Sequence, residues 1–203
     1  MLKKITLLGA AAASAFAMHS AEININDKDL ELGGKIDMGQ FNHTVDPDTV
    51  FLGARFLSAD EDHSDNENVS LDPYYEVNFL MQNRISNTDL TLGLGVKLNY
   101  FTQDFSQNKL DFASIPLGIE AKYRLPLGNT VPVSLGGALY YAPEVLSMMD
   151  GEDYFEYRFT LDVEVIKNAN VTLGYRNLEM GFEGAGDAFT YNKSAYVGFK
   201  FRF

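Results

Sequence analysis

Leu90-Thr91-Leu92-Gly93-Leu94-Gly95-Val96-Lys97-Leu98-Asn99-Tyr100 is the stretch that decides the fold. Every second residue is large and apolar: Leu90, Leu92, Leu94, Val96, Leu98 and Tyr100. Thr91, Gly93, Gly95, Lys97 and Asn99 stand between them, polar or small. Side chains along a strand point alternately to opposite faces, so this is a strand with one oily face and one polar or small face. Its length is close to the roughly ten residues that a tilted strand needs to cross a bilayer.

The rhythm recurs on both sides. Ile115, Leu117, Ile119, Ala121, Tyr123 and Leu125 alternate with Ser114, Gly118, Glu120, Lys122 and Arg124. Val131, Val133, Leu135, Gly137, Leu139 and Tyr141 alternate with Ser134, Gly136, Ala138 and Tyr140. Phe155, Tyr157, Phe159, Leu161, Val163 and Val165 face away from Glu156, Arg158, Thr160, Asp162 and Glu164. Val171, Leu173 and Tyr175 oppose Thr172, Gly174 and Arg176. Toward the N-terminus, Leu71, Tyr75, Val77, Phe79 and Met81 alternate with Asp72, Tyr74, Glu76 and Asn78, and Val50, Leu52, Ala54 and Phe56 with Phe51, Gly53 and Arg55. The last segment sets Ala195, Val197, Phe199, Phe201 and Phe203 against Tyr196, Gly198, Lys200 and Arg202. The stretch from Glu22 to Asn42 is expected to be a hairpin turning at Gly33-Gly34, a dipeptide suited to tight turns, although its alternation breaks between Ile25 and Leu30.

No stretch after residue 21 approaches the roughly 20 apolar residues of a membrane-spanning helix. A chain that crosses a membrane on strands must close, because every backbone group needs a partner inside hydrocarbon. The expected fold is therefore all-β: a transmembrane, antiparallel, up-and-down barrel of ten strands, or of eight without the first hairpin. Connections alternate in length. Pro126-Leu127-Gly128-Asn129 and Asn168-Ala169-Asn170 are short, whereas Ala59 to Val69, Thr102 to Asp111, Ala142 to Asp153 and Phe182 to Asn192 are long. Bacterial barrels pair short periplasmic turns with longer outer loops, which places both termini in the periplasm. A soluble sandwich also alternates, but it accounts for neither the loop rhythm nor the two ends of the chain.

Those ends carry signals of their own. Lys3 and Lys4, the apolar run from Ile5 to Ala13, and Ala15-Phe16-Ala17 form a secretory leader. Residues 1–17 are expected to be removed, with Ala21 as the alternative cleavage site, leaving 18–203 as one barrel domain in the outer membrane. Without Lys3 and Lys4 the basic count falls from 16 to 14 against 28 acids, a charge of -14. That charge argues against nucleic acid, whose phosphates call for basic patches. At the other end, Tyr196, Gly198, Phe201 and Phe203 run up to the final carboxylate. The pattern resembles the signal that outer-membrane barrels present to their assembly machinery, which templates strands by edge pairing.

The absence of cysteine rules out disulfides and thiolate chemistry. Beyond residue 21 only His43 and His63 remain, neither with a Ser/Asp partner spacing. No phosphate loop, dinucleotide fingerprint or metal-ligand cluster is present. The chain is expected to have no catalytic residue, cofactor or metal, and not to be an enzyme. The acidic run Asp60-Glu61-Asp62-His63-Ser64-Asp65-Asn66-Glu67 offers oxygens for calcium or magnesium, but without the glycine and terminal glutamate of an EF-hand it reads first as a solvated loop. Ala142 to Met149 reads as packing against the barrel rim, or else as a plug or partner surface.

The chemistry is expected in the lumen. Lys97, Glu120, Lys122, Arg124, Glu156, Arg158, Asp162, Glu164, Arg176, Lys200 and Arg202, together with Arg55 and Glu76, fall on inward faces. Charges away from bulk water must pair or be hydrated. About eight strands leave an interior just filled by side chains, while water-filled porins use about 16 to 18. Ten strands are therefore expected to hold a lumen closed by paired charges, the alternative being a narrow channel for ions or small solutes.

Leu92-Gly93-Leu94-Gly95-Val96-Lys97, Tyr140-Tyr141-Ala142-Pro143-Glu144-Val145-Leu146-Ser147, Tyr154-Phe155-Glu156-Tyr157, Gly174-Tyr175-Arg176 and Tyr196-Val197-Gly198 form a set of segments from Leu92 to the end. In these segments the chain resembles the YfaZ family of outer-membrane proteins. The N-terminal third matches in spacing alone. The resemblance implies a barrel made as a precursor, and so speaks to fold and location rather than mechanism. The expected role is a monomeric barrel that is structural or contacts the surroundings through its loops. Its partners would be outer-membrane lipid, lipopolysaccharide and, during insertion, the assembly machinery.

Overall fold

Alternation becomes a closed wall in the computed structural model, which describes residues 20–60, 71–105, 108–127, 131–183 and 188–203. The strands are β1 (Ser20–Ile25), β2 (Leu30–Asp37), β3 (Val50–Ser58), β4 (Tyr74–Arg84), β5 (Leu90–Phe105), β6 (Asn108–Ser114), β7 (Leu117–Leu125), β8 (Val133–Ala142), β9 (Ser147–Met149), β10 (Gly151–Ile166), β11 (Ala169–Phe182) and β12 (Phe189–Arg202). Ten of them form the ring β1-β2-β3-β4-β5-β7-β8-β10-β11-β12, every pair antiparallel, and β12 returns to β1. The last two, β6 and β9, extend the upper part of β5.

Closure rests on the pairs Ser20↔Arg202 through Ile25↔Val197. The end of the barrel where Ser20 and Arg202 meet is the terminal end. Residues 85–89 and 167–168 connect strands there with few residues; the expected short segment Pro126–Asn129 falls between β7 and β8, Ala169 and Asn170 of the other expected one belong to β11, and 38–49 is a longer connection. Asp37 closes that connection by accepting from the Gly39 and Asp48 backbone N–H groups at 2.9 and 2.8 Å.

Three sequence expectations need correction. The first hairpin does not turn at Gly33-Gly34, which lie inside β2 opposite Glu22 and Ala21. It turns at Asn26–Asp29, where the Asn26 side-chain oxygen accepts from the Lys28 and Asp29 N–H groups at 2.9 and 2.6 Å, a side chain mimicking a backbone turn. Gly33 serves clearance, since a Cβ there would lie 2.8 Å from Glu22 Cγ. The segment Thr102 to Asp111 is mostly strand rather than loop, with β5 and β6 paired out to Phe105↔Asn108, and β11 and β12 extend into the two ends of Phe182 to Asn192. Ala142 to Asp153 likewise contains β9, a short 3-10 turn at Glu144–Leu146 and the start of β10. Ladders continue there because an apolar core, described below, rewards inward side chains beyond the charged layer.

The outward faces are apolar throughout. Leu94 is 69% exposed and Phe159 61%, and Ile23, Leu32, Leu52, Phe79, Leu117, Ile119, Leu139, Leu173, Val197 and Phe199 are exposed with them. Outward tyrosines mark the upper border of this belt: Tyr75 sits directly opposite Tyr100, and the Tyr157 and Tyr175 rings stack at 6.1 Å. Tyr123 and Phe203 stand near the terminal end.

The register of closure is directly testable, since the chain has no native cysteine. Ile23→Cys with Phe199→Cys is expected to form a disulfide, seen as a shift on a non-reducing gel, because the two residues are direct partners. Ile23→Cys with Val197→Cys is expected to stay reduced. The opposite result would refute the β1–β12 register.

Candidate functional site

Inward side chains fill the lumen in three tiers. The middle tier is ionic. Arg55 donates to Glu156 at 2.6 and 3.1 Å and also to Glu76. Lys97 donates to Glu156 and lies 3.2 Å from Glu76. Arg158 grips Glu31 through two bonds of 2.7 Å. Arg176 reaches Glu31 and Asp29 at 3.1 Å each, and Asn192 at 2.6 Å. Four cations, Arg55, Lys97, Arg158 and Arg176, thus meet four carboxylates, Asp29, Glu31, Glu76 and Glu156. All are buried or nearly so. Bidentate arginine pairs are among the stronger ionic contacts, and the equal numbers of each sign limit the charge left unpaired by burial.

Two tyrosines support this tier on bare backbone. Tyr140 covers Gly95 and Gly118, where an added Cβ would collide with its ring. It carries the Lys97 ammonium over its face at 3.8 Å and donates to Glu120 at 2.7 Å. Tyr196 lies over Gly174 in the same way, with the Arg158 and Arg176 guanidinium groups 5.6 and 5.1 Å from its ring centre. Gly95, Gly118 and Gly174 are thus sites where aromatic rings lie against the wall.

The upper tier is aromatic. Tyr74, Phe101, Phe112, Tyr154, Leu178, Met180 and Tyr191 are 0% exposed, with Phe182 and Phe189 packed among them. Phe101 meets Tyr191 edge-on at 4.8 Å, and Phe112 meets Phe182 at 5.6 Å. The hydroxyls of Tyr74 and Tyr154 are 2.9 Å apart and donate downward to Glu76 and Glu156, at 2.9 and 2.7 Å. Apolar and ionic tiers are therefore bonded to each other.

The lower tier surrounds a cavity of about 260 Å³ that reaches the terminal end between Ser20, Asp48 and Arg202. Its pairs are longer: Lys35 to Glu120 at 3.8 Å, Lys122 and Lys200 to Asp162 at 3.5 Å each, and Lys200 to Glu22 at 3.6 Å.

Of the residues expected inside, Lys97, Glu156, Arg158 and Arg176 meet in the middle tier, with Arg55 and Glu76. Glu120, Lys122, Asp162, Lys200 and Arg202 line the cavity. Arg124 and Glu164 stand by strand parity at the terminal end, opposite Ser134 and Asn170. Tyr196 is 4% exposed inside the lumen, and Gly198 makes room for Asn24, while Phe201 and Phe203 face outward. The sequence did not single out Asp29 and Glu31. The parity of Leu30, Glu31, Leu32, Gly33, Gly34 and Lys35 carried the signal for Glu31, but a turn assumed at Gly33-Gly34 concealed it. His43 is exposed. The run Asp60–Glu67 lies outside the described residues except for Asp60, whose N–H donates to Asp29 at 3.1 Å.

The fold and its interior define a class: a closed ten-stranded antiparallel barrel, apolar outside and charged within. Within that class the chain belongs to the family described as YfaZ precursor, whose model matches residues 2–203. No curated protein matches the chain.

Removing one partner from the middle tier strands charges in a dry layer, whereas the lower tier faces water. Glu31→Gln, which leaves Arg158 and Arg176 short of a counter-charge, is expected to destabilise the refolded barrel by about 3–5 kcal/mol. Lys122→Gln, with its side chain 46% exposed, is expected to change stability by no more than about 1 kcal/mol. Urea titrations followed by gel migration of unheated samples compare the two.

Proposed function

We propose that the chain is an integral outer-membrane barrel, closed to solute flow, whose role is structural or surface-interacting. The observation that carries this is the stacking of the ionic and aromatic tiers across the lumen. Tyr74, Tyr154, Glu76, Glu156 and Arg55 are bonded into one block, and all five are buried. A hydrated ion would have to break several charged hydrogen bonds and part the ring cluster to pass. The aperture of a ten-stranded barrel is in any case narrow beside that of a porin of about 16 to 18 strands.

Membrane integration is supported by the outer belt. Large contiguous apolar surfaces on soluble monomers are rare, and an apolar band bordered by aromatic residues is the pattern of bacterial barrels. In this orientation the termini are periplasmic and the aromatic tier lies toward the cell exterior. Lipid and lipopolysaccharide surround the belt, and the outer ends of β5, β6, β9 and β10 form the contact region. The barrel is a monomer with no catalytic role, and β12 carries Tyr196, Gly198, Phe201 and Phe203 to the assembly machinery. The leader is cut after Ala17, since cleavage after Ala21 would remove Ser20 and Ala21, two rungs of the closing ladder. The cavity at the terminal end favours the narrow channel as a second reading, but it ends against the ionic tier.

Two measurements test these statements. The purified protein, refolded and heat-modifiable on a gel, is expected to give no stable conductance steps in a planar bilayer; steps that change with Glu120→Gln or Arg158→Gln would favour the channel. Leu94→Arg, at an outward position near mid-belt, is expected to cost about 2–4 kcal/mol of stability in lipid vesicles. No penalty there would argue against lipid contact.

A further inference from the structure

The lower tier differs from the middle tier in how its charges are held. Arg158 and Glu31 bond at 2.7 Å, whereas the lysine pairs of the lower tier span 3.5 to 3.8 Å. At those distances the ammonium groups are at or past the limit of a good hydrogen bond. Each carries three donors, so donors are left over. Lys122 and Lys200 also share the Asp162 carboxylate, which is itself engaged by Thr172 at 2.6 Å, and Lys200 has Glu22 at 3.6 Å besides. Arg202 adds a further cation at the mouth.

Space accompanies these donors. Gly33, Gly93 and Gly136 line the cavity without side chains, leaving about 260 Å³, near the lower end of small-molecule pockets, about 300–1,000 Å³. An acceptor is also waiting. The carboxamide oxygen of Asn170, a residue only 5% exposed, lines the cavity and has no hydrogen-bond partner among the described residues. Buried polar atoms are ordinarily satisfied.

We propose that this cavity binds a small oxyanion that carries hydroxyl groups, either a hydroxycarboxylate or a hydroxylated phosphate monoester. Lys122, Lys200 and Arg202, with Lys35 across the lumen, hold the anionic head through charge-assisted hydrogen bonds. A ligand hydroxyl donates to Asn170. The ionic tier forms the floor, so the pocket is blind and retains its ligand rather than passing it on. That it faces the periplasm rests on the orientation proposed above; the binding itself does not.

The test uses the mature chain refolded in detergent micelles, titrated calorimetrically with gluconate, with glycerol 3-phosphate, and with sorbitol as the uncharged control. Saturable heat is expected from at least one oxyanion and none from sorbitol, and the responding probe tells carboxylate from phosphate. Lys122→Gln is expected to weaken that binding about tenfold, the loss of one charged hydrogen bond. Heat-modifiable migration, recorded on the same samples, separates a failed barrel from an empty pocket. Lack of saturation with both oxyanions in a folded sample would overturn the proposal. So would equal binding of sorbitol, or binding unmoved when Lys122→Gln and Arg202→Gln are combined.

Discussion

Pairing of the six residues of β1 with the end of β12, from Ser20↔Arg202 to Ile25↔Val197, closes the barrel, and the rest of the structure depends on it. A sheet with an open edge leaves N–H and C=O groups unpaired, and in an apolar surrounding each such group is costly. Closure also fixes register, because strand side chains have period two and a slip of one residue would turn every inward charge outward. Arg158 and Arg176 of β10 and β11 face Glu31 of β2 only because β12 and β1 join in this register. The lumen is thus a product of the seam between the chain's two ends.

Once the ring is closed, its interior must be filled. Ten strands enclose more room than side chains of average size occupy, and the three tiers meet this in different ways. Ring-over-glycine packing brings Tyr140 and Tyr196 close to the wall, leaving the centre to the ion pairs. Above, where the strands continue beyond the β1–β2 turn, aromatic rings fill the space without charge. Below, glycines face inward with no ring over them, and a cavity remains. The hydroxyls of Tyr74 and Tyr154 stitch the first two tiers together, each ring apolar at its body and polar at its tip.

Strand parity was legible wherever period two ran unbroken, as from Leu90 to Tyr100, and it assigned Lys97, Glu156, Arg158 and Arg176 to the interior. Their partners were not legible. Arg158 and Glu31 stand 127 residues apart in sequence, and only barrel closure brings them together. The error at Gly33-Gly34 has a physical cause: a glycine required for clearance from a neighbouring side chain looks, in sequence, like a glycine required for a turn. The real turn used the side chain of Asn26. The upper aromatic tier was hidden because Asp104 and Asp111 gave its strands the polarity of loops, although Phe101 and Phe112 sit directly opposite each other on them.

Cation type follows depth. Three of the four middle-tier cations are arginines, Arg55, Arg158 and Arg176, while Lys35, Lys122 and Lys200 line the lower cavity. A guanidinium is planar, weakly hydrated and able to satisfy two carboxylates at once, which suits a dry layer; an ammonium is compact and strongly hydrated, which suits a wet mouth. Lys97 in the middle tier and Arg202 at the mouth are the exceptions; of the four middle-tier cations Lys97 lies nearest a tyrosine ring, 3.8 Å from the Tyr140 centroid, where the ring takes the place of hydration. Arginine at depth locks the middle tier, and lysine at the mouth leaves donors whose bonds water or a ligand can exchange. The same closed wall therefore holds one densely bonded layer and another whose charge pairs are looser.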